Sequence, residues 1–173
     1  AISYYISALK KQGKTIAFVP TMGTLHDGHI TLMEGAKKKA DVVVCSIFVN
    51  PTQFNNPDDF TRYPVNIQKD ILLLENSEVP VLFLPGVSNI YPDGTAQLPH
   101  YDFGYLDTVL EGAYRPGHFQ GVGQVMDRLL KIVQPHFLFL GQKDYQQCMI
   151  IQKLVTLTGI KTEIIFFPTR REA

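Results

Sequence analysis

Five short apolar runs constrain this chain most: residues 15–19, 42–49, 81–84, 137–140 and 162–167. They are rich in Val, Ile and Phe and show little alternation between apolar and polar positions. A strand with one wet face alternates, whereas a strand covered on both faces does not, so these runs read as strands of a parallel sheet buried on both sides. Helix-like segments lie between them, at 30–39, 66–75, 121–133 and 145–158. Lys37, Lys38 and Lys39 suit a helix C-terminus, and Gly159 suits the position just past one. Strands alternating with helices imply right-handed crossovers and a doubly wound, Rossmann-like α/β domain of about five strands. Residues 85–118 break the rhythm with prolines, glycines and one short strand-like stretch at 99–103, and read as an irregular insertion packed beside the sheet.

The remaining bulk properties exclude more than they assign. At 173 residues the chain reads as one domain, with 45% apolar residues to build its core. Lys and Arg total 16 and Asp and Glu total 16, so no basic excess marks it for nucleic acid. No apolar run approaches the length of a membrane span. Residues 1–14 are amphipathic and then basic, unlike a signal peptide, and the absent initiator Met reads as trimming. Cys45 and Cys148 sit far apart in apolar surroundings and read as free thiols. The expected location is the cytoplasm.

The chemistry-bearing residues follow the strands. After the first comes Pro20-Thr21-Met22-Gly23-Thr24-Leu25-His26-Asp27-Gly28-His29, two imidazoles and two glycines where a strand meets a helix N-terminus. Unpaired N–H groups and the helix dipole favour an anion there. After the second strand come Asn50 and Gln53; after the fourth come Gly141-Gln142-Lys143-Asp144 and Gln147. All these loops leave a parallel sheet at its carboxyl edge, where open α/β sheets bind ligands. In the order 3-2-1-4-5, His26, His29, Lys143 and Asp144 face one crevice. Plainer readings exist for each. His26 and His29 could share a zinc ion, although no obvious third and fourth ligands stand nearby in sequence, or they could be structural histidines at a helix cap. Asp144 could cap the following helix, Asn50-Pro51 could mark a turn, Asp58-Asp59 a loop or cap, and Arg115 a turn into a helix. The chain has neither a P-loop nor a Gly-x-Gly-x-x-Gly after its first strand. A phosphate site of histidines, glycine backbone and a distant lysine suits nucleotidyl transfer, in which an oxygen displaces pyrophosphate from ATP and donors with Mg²⁺ stabilise the departing charge.

The His-x-Gly-His element resembles that of the nucleotidylyltransferase superfamily. With Phe48-Val49-Asn50-Pro51-x-Gln53-Phe54, His118-Phe119-x-Gly121-Val122 and Gly141-x-Lys143-Asp144-x-Gln146-Gln147, the string is similar to the pantoate–β-alanine ligase family over essentially the whole chain. That resemblance implies an AMP-forming ligase that joins (R)-pantoate to β-alanine through a pantoyl adenylate, with ATP as substrate and Mg²⁺ as cofactor. It implies that Met22, Gly23, Thr24, Leu25, His26, Asp27, Gly28 and His29 line the ATP site, joined by Gly141, Gln142, Lys143, Asp144 and Arg170. His29, His26 and Lys143 take the catalytic roles, Gln53, Gln147 and Arg115 bind pantoate, and Gln53 with Asn50 presents β-alanine. Asp70 matches an acidic residue near the magnesium and phosphates. A homodimer is implied, without nucleic acid or membrane partners. Three departures stand out. Tyr63-Pro64-Val65-Asn66 replaces Tyr-Pro-Arg-Thr, Lys69 replaces an acidic residue, and the chain stops before the family's serine- and arginine-bearing loop and C-terminal domain. The expectation is a chain that holds the pantoate pocket but turns over weakly or not at all. Another nucleotidylyltransferase, or a nucleotide-binding module without catalysis, is the alternative reading.

Overall fold

The computed structural model describes residues 1–142 and 144–168. Helix α1 (Ile2–Lys11) leads into β1 (Ile16–Thr21), α2 (Asp27–Lys39) and β2 (Val42–Ile47). A 3-10 turn (Pro51–Gln53), α3 (Pro57–Arg62) and α4 (Ile67–Asn76) precede β3 (Val81–Phe83). The insertion contributes α5 (Val87–Ile90), a second 3-10 turn (Gly104–Asp107) and α6 (Glu111–Tyr114). Helix α7 (His118–Val133), β4 (Phe137–Gly141), α8 (Tyr145–Thr158) and β5 (Glu163–Phe167) complete the domain. All five strands are parallel, in the order β3-β2-β1-β4-β5.

The absence of alternation in the apolar runs has the expected cause. Ile16, Phe18, Val44, Leu138 and Leu140 pack on one face of the sheet beneath α7 and α8. Ala17, Val19, Val43, Cys45, Ile47 and Phe139 pack on the other beneath α2 and α4, against Met33, Ala36 and Leu74. Burial on both faces leaves the central strands almost wholly apolar, with only Thr21 and Ser46 polar near their carboxyl ends. It also silences the thiols: both cysteines are free, and burial raises Cys45 to about 12 and Cys148 to about 11. No helix among the described residues is long and apolar enough to cross a membrane.

The pairing of β1 is unequal. It runs alongside β2 from Ile16 to Thr21 but meets β4 only at Ala17 and Phe18. Ile16 turns its carbonyl toward the β4 side, where it accepts from His136 N at 2.9 Å. The two-residue period puts Phe18 and Pro20 on that same side. Pro20 has no N–H to offer there, so the ladder stops and the two strands part.

Several local boundaries differ from those read in the sequence. Helix α2 begins at Asp27 rather than 30, because His26 caps it by accepting from Gly28 N. Helix α7 begins at His118 rather than 121, behind Gly117 in the left-handed region at φ 81°. Strand β1 continues through Pro20 to Thr21, and β2 stops at Ile47 before the Asn50-capped turn. Residues 99–103 form no strand. Tyr101 instead gives its N–H to Gln120 Oε1 at 2.9 Å and its carbonyl to Gln120 Nε2 at 2.8 Å, so one side chain takes the bonds a neighbouring strand would have made.

Candidate active site

A cavity of about 460 Å³ opens where β1 and β4 part. Its lining joins Met22, Gly23, Thr24, His26 and His29 after β1 to Asn50 and Gln53 after β2 and to Gln147 on α8. The convergence on one sheet edge, expected from the topology, is therefore present in side chains.

The two histidines are held by their own helix start. His26 Nδ1 accepts from Gly28 N at 3.0 Å, and His29 Nδ1 accepts from His26 N at 3.1 Å. Each ring is thus a cap for the other's segment, with centroids 4.2 Å apart. A ring nitrogen that accepts from an N–H carries no proton, so the neutral form of each ring bears its proton on Nε2. His29 is not a cation near neutral pH. Burial, reinforced by neighbouring His26 and opposed by Asp70, lowers it to about 4. His29 is a neutral N–H donor at pH 7.

The loop before the histidines is unusual in its backbone. Gly23 and Thr24 are both left-handed, at φ 88° and 52°. Glycine tolerates this, but threonine seldom does. Asp70, only 2% exposed, receives Thr24 N on Oδ2 at 3.0 Å and Leu25 N on Oδ1 at 2.9 Å. Thr24 Oγ1 donates to Pro64 O at 2.7 Å. Asp70 does not line the cavity. As a magnesium ligand it does not fit, since both carboxylate oxygens are occupied and buried. Among the described residues no cluster of three or more His, Cys, Asp or Glu could hold a metal ion.

The other end of the cavity combines amides with an apolar wall. Val122, Val125, Met126 and Leu129 of α7 face it with Leu140 and Ile151. Gln53, 9% exposed, approaches Met22 Sδ with its Nε2 at 3.4 Å. The turn bearing Asn50 and Gln53 is fixed from three directions. Tyr91 OH donates to Asn50 Oδ1 at 2.7 Å, Asn50 Nδ2 donates to Gly121 O at 3.0 Å, and buried His118 Nδ1 donates to Gln53 O at 2.9 Å. Gly121 is obligatory at that crossing, because a Cβ there would stand 2.5 Å from both Gln53 Cα and Thr52 O.

Not every expected residue joins the cavity. Leu25 is buried behind it, and Asp27 and Gly28 lie in the first turn of α2 outside the lining. Gly141, the last residue of β4, and Gln142 after it lie outside the lining, with open space where a Gly141 side chain would be. Asp144 performs the capping duty, accepting from Gln147 N at 3.0 Å. Arg115 is exposed in the turn before α7 and lies outside the lining. Lys143 and Arg170 lie outside the described residues. Tyr91 and the α7 wall were not singled out from the sequence, and Tyr63 and His118 stood there only as members of motifs. The wall's three- and four-residue spacing was visible, but it reads equally as ordinary core.

A five-stranded parallel sheet of this order, with His-x-Gly-His at the switch point, defines a nucleotidylyltransferase-like α/β domain. Fold likeness extends to a lipopolysaccharide core biosynthesis protein from Thermoplasma volcanium, at 15% identity, TM-score 0.53, and 93% and 100% coverage of the two chains. A model of the pantoate-beta-alanine ligase family matches residues 1–173, and the chain belongs to that family. The pantoate-beta-alanine ligase of Francisella tularensis, solved with beta-gamma ATP and beta-alanine, is 47% identical over 99% of this chain, with TM-score 0.91. The pantothenate synthetase of Thermus thermophilus is 42% identical over 99% of this chain, with TM-score 0.90. The chain spans 66% and 61% of those two proteins.

Proposed function

We propose that this cavity adenylates (R)-pantoate with ATP and then passes the acyl group to β-alanine, forming pantothenate. The observation that carries this reading is a single cavity with imidazole donors at one end and amides beside an apolar wall at the other. Family membership and the two ligands of the Francisella relative support it.

In the first step a carboxylate oxygen of pantoate attacks the α-phosphorus of ATP, and the bond to the β-phosphate oxygen breaks to release pyrophosphate. Charge grows on the departing phosphates, where His26 and His29 offer Nε2–H. Donors fixed in a partly buried site stabilise such charge without reorganising. Gln53 and Gln147 hold the hydroxyls and carboxylate of the acid, while the α7 wall receives its dimethyl carbon. In the second step the amine of β-alanine, presented near Asn50 and Gln53, adds to the acyl carbon and loses a proton, and the carbon–oxygen bond to AMP breaks. Lys143 on phosphate, Gly141 at adenine, Asp144 on the ribose and Arg115 near the acid remain assignments by family resemblance, as do a homodimer, a cytoplasmic location and Mg²⁺ arriving with the nucleotide.

Neutral amides favour a hydroxy acid over a phosphorylated acceptor, which would call for more Arg and Lys. The test is pantoate-dependent pyrophosphate release at enzyme excess, in single turnover. His29→Ala is expected to slow it on the order of a hundredfold, the scale for one preorganised donor. Equal rates in the two proteins would remove His29 from the mechanism, and release independent of pantoate would remove the acceptor.

A further inference from the structure

We infer that Asp70 is a positioning residue that holds the phosphate-binding loop in its strained left-handed form, and that it does not ligate magnesium. The inference rests on the ATP-binding reading above. Residues 23–25 must turn sharply to bring the end of β1 round to the cap of α2. They do so with Gly23 at φ 88° and Thr24 at φ 52°. A threonine in that region is strained and persists only where its surroundings impose it. Asp70 supplies the constraint. Its two oxygens take two successive N–H groups, Thr24 N at 3.0 Å and Leu25 N at 2.9 Å, as a bidentate grip on consecutive peptides. Thr24 Oγ1 adds a third tie, to Pro64 O, from the segment that leads into α4.

The fit leaves no slack. A Cβ on Gly23 would lie 3.2 Å from Asp70 Oδ2 and 3.1 Å from Ile47 Cγ2. Both lone-pair directions that face the loop are therefore spent on backbone, and the carboxylate is buried at 2% exposure. Magnesium keeps several waters in a near-octahedral oxygen shell, and a carboxylate this buried, with its loop-facing lone pairs taken, has no room beside it for such a shell. The adjacent exposed side chain on α4 is Lys69, a cation where a second metal-directed carboxylate would be needed. Asp70 acts through the loop: it fixes where Met22, Gly23 and Thr24 present themselves to the cavity and where α2 begins, and hence where His26 and His29 point.

Asparagine is the discriminating replacement, since its NH₂ confronts one of the two loop N–H groups. ATP affinity of wild type and Asp70→Asn, each measured by calorimetry in Mg²⁺ and again in EDTA, separates the two roles. The expected result is an affinity loss of about tenfold in both conditions, as for one buried donor left without a partner. A loss confined to Mg²⁺, or no loss, would overturn the inference. Amide hydrogen exchange on the wild type gives a reading that needs no variant. The N–H groups of Thr24 and Leu25 are expected to exchange at least a hundredfold more slowly than free peptides, and exchange at the free rate would overturn the grip. Wild type that shows the slow exchange but no ATP binding would instead defeat the functional reading and leave the grip standing.

Discussion

Reciprocal capping by His26 and His29 holds the two rings in fixed positions as donors, and the burial of His29 makes the fold sensitive to acid. The unfolded chain protonates His29 near pH 6.5, whereas the folded chain resists until about pH 4, held down first by burial and then by His26 against the opposing pull of Asp70. Between those values the unfolded state binds more protons, so acidification favours unfolding. His118, lowered by burial, acts in the same direction. The melting temperature is therefore expected to fall as pH drops from 6.5 to 4, and His29→Gln is expected to show a shallower fall, with His118 leaving a residual slope. Equal slopes would show that His29 titrates normally in the folded protein. The histidine pair and a place for it at a helix cap were legible from the sequence, but the reciprocal form of that capping was not, because a helix starting at 30 rather than 27 leaves His29 outside it.

At the level of elements, the apolar runs and their intervening helices made the sheet legible. Two-sided burial leaves a continuous hydrophobic signature that no competing structure explains as well. The insertion was less legible, because its backbone bonds go to side chains. Gln120 replaces a strand partner for Tyr101, and Tyr91 reaches from beyond α5 to orient Asn50. Such long-range pairings have no periodicity to read. The crossing of α7 over the Pro51–Gln53 turn depends on Gly121 in the same way. Gly121→Ala would force backbone apart, and overpacking of that kind typically costs about 1–3 kcal/mol. Urea denaturation is expected to show a loss in that range, and an unchanged midpoint would mean that the helix and turn can separate freely.

Across the whole molecule, the cavity takes its apolar wall from the core beneath α7 and α8, and its opening follows from where β1 and β4 cease to pair. The notch is written into the covalent chain. Since Pro20 has nothing to donate, no hydrogen bond must break for a ligand to enter between the strands, and none re-forms when it leaves. Entry then resembles an encounter with a ready-made surface rather than the opening of a gate. Observed association rates for pantoate are expected to rise in proportion to its concentration. A plateau at high concentration would reveal a slow opening step. An imino acid in the middle strand of a sheet, ordinarily a defect, keeps this doorway permanently ajar.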